Sequence, residues 1–283
     1  MKFQNYIVIE LKHLFSRKEF YISFVFSLIY ALVHFFITCI VLYGSNSFEN
    51  LSPAYQYALN FGNYLRILST LPQIYIFFFF LIISPVAFAD TYILDRIHGV
   101  QKFIFTRCSK AKYIISKAVV VALAAIIVVT VPLLINQLLL LTIAPLNSSN
   151  DSAMGIYDSY RKTISGNYDS FLFENFPYLH NALIAVLTGL YAAVISLVAY
   201  AASLFIRVNR IIVLILPWCI GVIMNVIFSF LHRPLKDPTS QLLVNFLIRN
   251  DKGINTIITT IIISMVFICI GIITKIRHAK DEL

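Results

Sequence analysis

The residues best suited to chemistry lie in one polar stretch, residues 90–117, between two long apolar runs. The stretch carries Asp90, Asp95, Arg96 and Gly99, and several lysines follow them. Carboxylate and guanidinium groups form ion pairs and charge-assisted hydrogen bonds. We expect Asp90 and Asp95 at the start of a short helix, where they favour its positive N-terminal end, and Gly99 at its stop. These residue types therefore favour recognition of another molecule in water.

Motifs for catalysis are absent from the sequence. There is no GxxxxGK[ST] phosphate loop, no HExxH, no paired-cysteine motif and no glycine-flanked serine. The six histidines are scattered, without a second ligand at metal-binding spacing. We expect no catalytic residue, no metal site and no cofactor in this chain, and no ATP hydrolysis by it alone.

The composition is that of a membrane protein. Apolar residues make up 59% of the chain and charged residues 12%, with a mean hydropathy of +0.84. A soluble domain would expose too much apolar surface to stay dispersed. Since unpaired backbone groups in lipid are costly and the alternating pattern of a barrel is missing, we predict an all-α polytopic membrane protein with one permease domain, residues 1–283.

Six apolar runs are long enough to cross a hydrocarbon core of ~30 Å, which takes about 20 helical residues. The predicted spans are residues 20–44, 67–89, 118–144, 182–206, 211–231 and 254–274. Pro85, Pro132 and Pro217 lie within them and are expected to kink the helices without breaking them. Small residues from Gly189 to Ser203 crowd the fourth span, so we expect it to be buried, either within the bundle, which is favoured, or at a subunit contact.

The distribution of basic residues predicts the orientation. Of the 22 Lys and Arg residues, 15 lie at the two termini, in residues 90–117 and in the link after the fourth span, and 7 lie on the other side. The positive-inside rule places the larger group, and both termini, in the cytoplasm. The net charge of +9 is then a topology signal, and nucleic-acid binding is not expected. Residue usage rich in Ile, Phe, Asn and Lys indicates an AT-rich bacterium, and so the bacterial cytoplasmic membrane.

The segments between the spans have distinct patterns. Residues 2–18 carry apolar side chains at helical spacing and predict an elbow helix lying flat at the cytoplasmic interface. An external segment, residues 45–66, contains a helix-start signal at Pro53. Residues 145–180 predict a long external loop, and residues 241–249 a short re-entrant helix before the last span.

The predicted spans have no Asp, Glu, Lys or Arg in their middle thirds. Ion-coupled carriers need such groups near the midplane. The polar residues that the spans do contain, His34, Asn136, Gln137 and Asn225, are expected to make interhelical contacts. A permease without an ion-coupling group or a nucleotide site is either a passive channel or is driven by a partner.

The polar stretch has a specific order of residues. It reads Asp95-Arg-x-x-Gly99, then Ile104-x-x-Arg107, then Tyr113-Ile-x-x-x-Lys117 before an alanine- and valine-rich span. This order resembles the loop of type-2 ABC exporter permeases, in which an acidic residue, a glycine, an arginine step and a lysine recur around a coupling helix. The elbow helix, six spans and re-entrant element resemble the same plan. Thr106 departs from it, since many relatives carry proline there.

The resemblance implies roles for individual residues. The contact with a separate ATPase subunit would be made by the coupling helix, through Asp95, Arg96, His98 and Gly99. Arg107 and Lys117 would support the return path of the loop. ATP and Mg would bind the partner subunit, present in two copies, and a second permease copy would complete a homodimer or a similar heterodimer in the lipid.

The implied function is ATP-driven export of an amphipathic or hydrophobic cargo. The 24 Phe and 16 Tyr residues and the lack of charge within the spans favour a small, bacteriocin-like peptide. No substrate-binding residue is identified. Drugs or lipids are the alternative cargo, and an ATP-independent channel is the alternative from a different class.

Overall fold

A computed structural model describes residues 3–44, 53–59, 79–106, 109–146, 176–205, 209–230 and 253–278. Over these ranges the protein is all-helical and has no strand. The helices are α1 (Phe3–Ser16), α2 (Lys18–Gly44), α3 (Ala54–Tyr57), α4 (Phe80–Val86), α5 (Thr91–Ile97), α6 (Val100–Phe105), α7 (Lys110–Leu140), α8 (Pro177–Phe205), α9 (Arg210–Phe230) and α10 (Gly253–His278).

Three helices, α2, α7 and α8, are long and apolar enough to cross a membrane. This agrees with the membrane association that the composition predicts. The apolar helices α9 and α10 match the predicted spans 211–231 and 254–274 closely at their N-terminal ends. The re-entrant helix, residues 241–249, and most of the predicted external loop lie outside the described residues.

Helices α7 and α8 form the centre of the bundle. They pack against each other more extensively than any other described pair, and α1 and α2 pack on α7. The small residues predicted to bury α8 do so: Ala192, Ser196 and Ala199 have almost no exposed surface. At Gly189 an added Cβ would lie 1.9 Å from Oγ1 of Thr130 on α7, so only glycine allows this close approach.

Some helix ends differ from the prediction. α7 begins at Lys110, so its first two turns replace the separate return segment expected before residue 118. Pro132 and Pro217 lie inside helices that continue past them, as predicted. Pro85 instead lies next to the last residue of α4, and the chain turns before α5 begins.

The N-terminal helix predicted for residues 2–18 is present as α1. Its Leu14 is fully buried in the apolar cluster that contains Phe88 and Tyr113. Val8, Ile9 and Phe15 remain about half exposed on the outer side. Packing against α7 explains why α1 has apolar residues on its inner face. The position of α1 at a membrane interface stays a prediction.

Polar side chains within the spans join helices, as expected. Nδ2 of Asn136 donates a hydrogen bond to the carbonyl oxygen of Ala31 on α2 at 2.9 Å and lies 3.3 Å from Nδ1 of His34. Nε2 of Gln137 donates to the carbonyl oxygen of Tyr178 on α8 at 3.4 Å. The fourth such residue, Asn225, has a side chain outside the described part of the structure.

Candidate functional site: a buried charge network below an exposed tip

The polar stretch folds into two short helices that meet at Gly99. Helix α5 ends at Ile97, α6 starts at Val100, and Gly99 between them has φ 69° and ψ 5°. This left-handed conformation costs other residues energy because of their Cβ atom. The helix stop that the sequence predicted at Gly99 is therefore present.

Asp90 does not act as the helix cap that its position suggested. It precedes α5 but forms no side-chain hydrogen bond with the helix N-terminus. Its fully buried carboxylate accepts hydrogen bonds from Arg17, at 2.9 and 3.4 Å, and pairs with Nε of Arg210. Two guanidinium groups replace the water that a buried carboxylate loses.

Glu19, in the first turn of α2, completes this group of charges. Its Oε1 lies 3.0 Å from Nη2 of Arg210 and 3.4 Å from Nη2 of Arg17. Burial disfavours the charged form of Arg17, but the hydrogen bond and charge of Asp90, together with Glu19, outweigh it and raise the arginine pKa. Arg17 therefore stays charged, and the pairs tie the α1–α2 junction to α9.

Asp95 lies in the last turn of α5, whereas the sequence suggested the start of the helix. Its carboxylate faces inward: Oδ2 accepts a 2.5 Å hydrogen bond from the hydroxyl of Tyr113 and lies 2.8 Å from Nζ of Lys117. The residue is only 9% exposed. Its polar atoms are thus used within the protein and fix α5 to α7.

Lys117 joins three elements. Its Nζ is fully buried and contacts Asp95 of α5 and, at 3.1 Å, Oε2 of Glu10 of α1. The ammonium group also lies 5.1 Å from the centroid of the Tyr113 ring. Such an aromatic face adds favourable electrostatics to a buried cation. Lys117 thus ties α7 to α5 and α1, and the role in a coupling loop that the resemblance implies for it stays a prediction.

Glu10 is one of the network members that the sequence analysis did not identify, together with Arg17, Glu19 and Arg210. It is 8% exposed although it belongs to a short surface-type helix. One feature of the sequence could have drawn attention to Glu10: it is the single acidic residue of α1. Its partner lies 107 positions away in the chain, so only the packing of α1 on α7 brings the two charges together.

Arg96 is partly buried beside the end of α8. Its guanidinium carbon lies 5.0 Å from the centroid of the Tyr92 ring, and Nη2 donates to the carbonyl oxygen of Leu204 at 3.4 Å. A cation near the last carbonyls of a helix is favourable. Arg96 therefore holds α5 against α8, and Arg107, the other arginine of the predicted site, lies outside the described residues.

The outer end of the two helices is exposed and mainly apolar. We define the tip as Ile97, His98, Gly99, Val100 and Phe103. Ile97 is 64% exposed and Phe103 76% exposed, and His98 is exposed between them. Of the four predicted contact residues, Asp95 and Arg96 thus face the bundle, and His98 and Gly99 lie at the tip.

The described residues contain no group of three His, Cys, Asp or Glu side chains placed to hold a metal. The arrangement fixes a small exposed surface to α1, α2, α7, α8 and α9, which suits a mechanical role.

Comparisons with protein-family models, curated proteins and solved structures find no match for this chain.

Proposed function

We propose that this chain is the membrane subunit of an ATP-driven exporter of the type-2 ABC kind and that the tip docks on a separate ATPase subunit. One observation carries the proposal. An exposed apolar tip, with Phe103 at 76% exposure, stands on a base held by buried ion pairs through Asp90 and Asp95. A docking surface that must transmit force needs both an accessible end and a rigid base.

The base is rigid for an energetic reason. Separating α5 from α7 would take Asp95 away from Lys117 and Tyr113, and a buried charge that loses its partner costs about 3–5 kcal/mol. The same holds for Asp90 and Arg17. A pull on the tip is therefore passed to α1, α2 and α7 before these pairs break.

The proposal assigns contact and support to different residues. His98 and Gly99, with Ile97 and Phe103, would touch the ATPase subunit. Asp95 and Lys117 would support the tip together with Glu10 and Tyr113, and Arg96 would brace it against α8.

The remaining parts of the proposed assembly follow from the resemblance. They comprise six spans, α1 as an interfacial elbow helix, α5 as the coupling helix and a re-entrant helix in residues 241–249. Both termini would lie in the bacterial cytoplasm. Two ATPase copies with ATP and Mg, and a second permease copy, would complete an exporter of small peptides.

The docking test compares two equally exposed residues. Ile97 at the tip and Leu146 beyond the opposite end of α7 are both 64% exposed. The protein is co-expressed with candidate ABC ATPases from neighbouring reading frames and purified by a tag on this chain. We expect Ile97→Asp to reduce the co-purified ATPase at least about tenfold, the equivalent of ~1.4 kcal/mol, and Leu146→Asp to leave it unchanged.

Coupling is tested separately by ATP turnover of the purified complex. Asp95→Ala in the base and Gly99→Pro in the tip should lower turnover even where some complex still forms. If neither variant changes assembly or turnover, the coupling assignment is wrong. Stimulation of turnover by added peptides, and not by lipids or drugs, would support a peptide cargo.

The competing function, an ATP-independent channel, predicts a different outcome in these experiments. An ATP-independent channel would conduct or equilibrate solutes in liposomes that contain this chain alone. No ATPase would then co-purify with it.

A further inference from the structure

Residues 53–59, which we term the strap, are buried in the end of the helix bundle opposite to the charge network. Their helix α3 starts after Pro53, as the sequence predicted, but the segment is not an exposed surface turn. Ala54 has no exposed surface and Leu59 only 1%. Both belong to an apolar cluster with Leu42 near the end of α2 and Leu140 at the end of α7.

A hydrogen bond to α7 holds the C-terminal end of the strap. The backbone N–H of Leu59 donates to Oδ1 of Asn136 at 2.9 Å, and both groups are buried. A buried N–H without a partner is costly, so this single side-chain acceptor matters for the docked state. Through its other amide atom, Asn136 bonds to Ala31 of α2.

A second anchor holds the N-terminal end. The N–H of Ala54 donates to the carbonyl oxygen of Pro145 at 3.1 Å. The hydroxyl of Tyr178 donates to the carbonyl oxygen of Leu146 at 3.1 Å, and its ring meets Tyr55 edge-on at a centroid distance of 5.4 Å. The strap is thus fastened at both ends by a few polar bonds over an apolar seat.

The strap lies about one membrane thickness from the charge network. Asn136 follows Lys117 by 19 residues on the same helix, which corresponds to ~28 Å at 1.5 Å per residue. The hydrocarbon core of a bilayer is ~30 Å thick. The separation of the two buried polar layers of α7 is therefore comparable to the thickness of a hydrocarbon core.

Beneath the strap, polar groups are buried among the helices. His34 is 1% exposed and Asn136 has no exposed surface, although lipid-facing and core positions normally favour apolar residues. In the docked state, Oδ1 of Asn136 accepts a hydrogen bond from the N–H of Leu59. When the strap leaves, a water molecule can donate to Oδ1 instead, so this oxygen keeps a hydrogen bond in both states. An entirely apolar seat would offer no such exchange.

We propose that the strap is a gate over this end of the bundle and that Asn136 is its latch. When the bond from Leu59 to Asn136 breaks, residues 53–59 undock as a unit and expose the His34–Asn136 layer to water. The gate does not depend on an ATPase partner, so its test is independent of the proposed function.

The test uses a cysteine reporter in lipid nanodiscs, where both membrane faces are accessible. The native cysteines are replaced by alanine, and Ala58→Cys reports on the strap, since Ala58 is 2% exposed. Leu146→Cys, at a position 64% exposed, is the accessible reference. We expect a hydrophilic maleimide to label Ala58→Cys at least about tenfold more slowly than Leu146→Cys.

Removing the latch should open the gate. Asn136→Ala is expected to raise the labelling rate of Ala58→Cys about tenfold, which corresponds to ~1.4 kcal/mol and is in the range for a lost buried partner. The matched control is Gln137→Ala, because this neighbouring amide bonds to Tyr178 of α8 and not to the strap. It should leave the labelling slow.

A second variant keeps the test decisive if Asn136→Ala does not fold. Ala54→Pro removes the N–H that donates to Pro145 and adds two ring carbons at a buried position, the first of the helix, where the proline backbone is tolerated. It should also speed labelling. The proposal is overturned if Ala58→Cys reacts as fast as Leu146→Cys, if both opening variants leave it slow, or if Gln137→Ala opens it equally.

Discussion

At the scale of single residues, the charge network depends most on Lys117. One ammonium group with no exposed surface faces two carboxylates, those of Glu10 and Asp95. Both carboxylates belong to residues less than 10% exposed, so little water can replace the lysine. Removing the cation is therefore expected to lower the stability of the fold by more than the small net contribution of a buried ion pair.

We predict that Lys117→Met lowers the free energy of unfolding by about 3–5 kcal/mol, because Glu10 and Asp95 are left as uncompensated buried charges. Unfolding in mixed SDS and detergent micelles measures this change. The triple variant with Glu10→Gln and Asp95→Asn should regain most of the loss, since it removes the charges together.

The control for this prediction is Lys12→Met, which removes an exposed lysine from α1. Exposed charges contribute about 0–1 kcal/mol, so the variant should stay near the parent protein. Equal stability of Lys12→Met and Lys117→Met would contradict the buried network.

At the scale of elements, the contact between α7 and α8 sets the form of the bundle. Gly189 lets the backbone of α8 approach Thr130, and buried small residues continue the same face. Helices in lipid gain little from apolar burial alone, so close packing of small residues is their main attraction. This contact places the C-terminal end of α8 where Arg96 reaches it.

We predict that Gly189→Ala lowers the free energy of unfolding by about 1–3 kcal/mol, since the new methyl group overlaps Oγ1 of Thr130. The same micelle titration measures it. Adding Thr130→Ala should recover part of the loss, and not all, because the Thr130 Cβ would still lie 3.3 Å from the new Cβ.

Gly271 on α10 provides the matched comparison, because nothing lies within 4 Å of an added Cβ there. Gly271→Ala should be neutral or stabilising by up to ~1 kcal/mol, as expected for alanine in a helix. If Gly189→Ala behaves in the same way, the close approach of α7 and α8 is wrong.

At the scale of the whole molecule, two buried polar layers are separated along α7. One contains Asp90, Asp95 and Lys117, and the other contains His34 and Asn136. Their separation of ~28 Å along α7 matches the thickness of a hydrocarbon core. The charged layer is formed by segments that the positive-inside rule assigns to a single side.

We predict that this charged layer faces the cytoplasm and the strap faces outward. Alkaline phosphatase, which is active only outside, should be inactive when fused after Phe105 and active when fused after Leu146. A green fluorescent protein fused at Leu283 should fluoresce. The reverse pattern of phosphatase activity would contradict the orientation that the basic residues indicate.

Much of the fold could be predicted from local patterns. Long apolar runs require helices in lipid, which predicts α2, α7 and α8 without any tertiary information. Gly99 was predictable as a helix stop because its freedom at positive φ is a property of the residue itself. The start of α7 at Lys110 was missed, because hydropathy falls at a polar helix end although the hydrogen-bonding pattern continues.

The sequence alone determined the class of the protein, its apolar helices and the location of its polar stretch, because these depend on composition and short-range spacing. Only the tertiary structure decided which charges meet. Glu10 and Lys117 are 107 positions apart, Arg17 and Asp90 are 73 apart, and neither pairing is encoded by local spacing. Pairing of Asp95 with Tyr113 and Lys117 of α7 buries its carboxylate, and the apolar tip beyond it stays exposed.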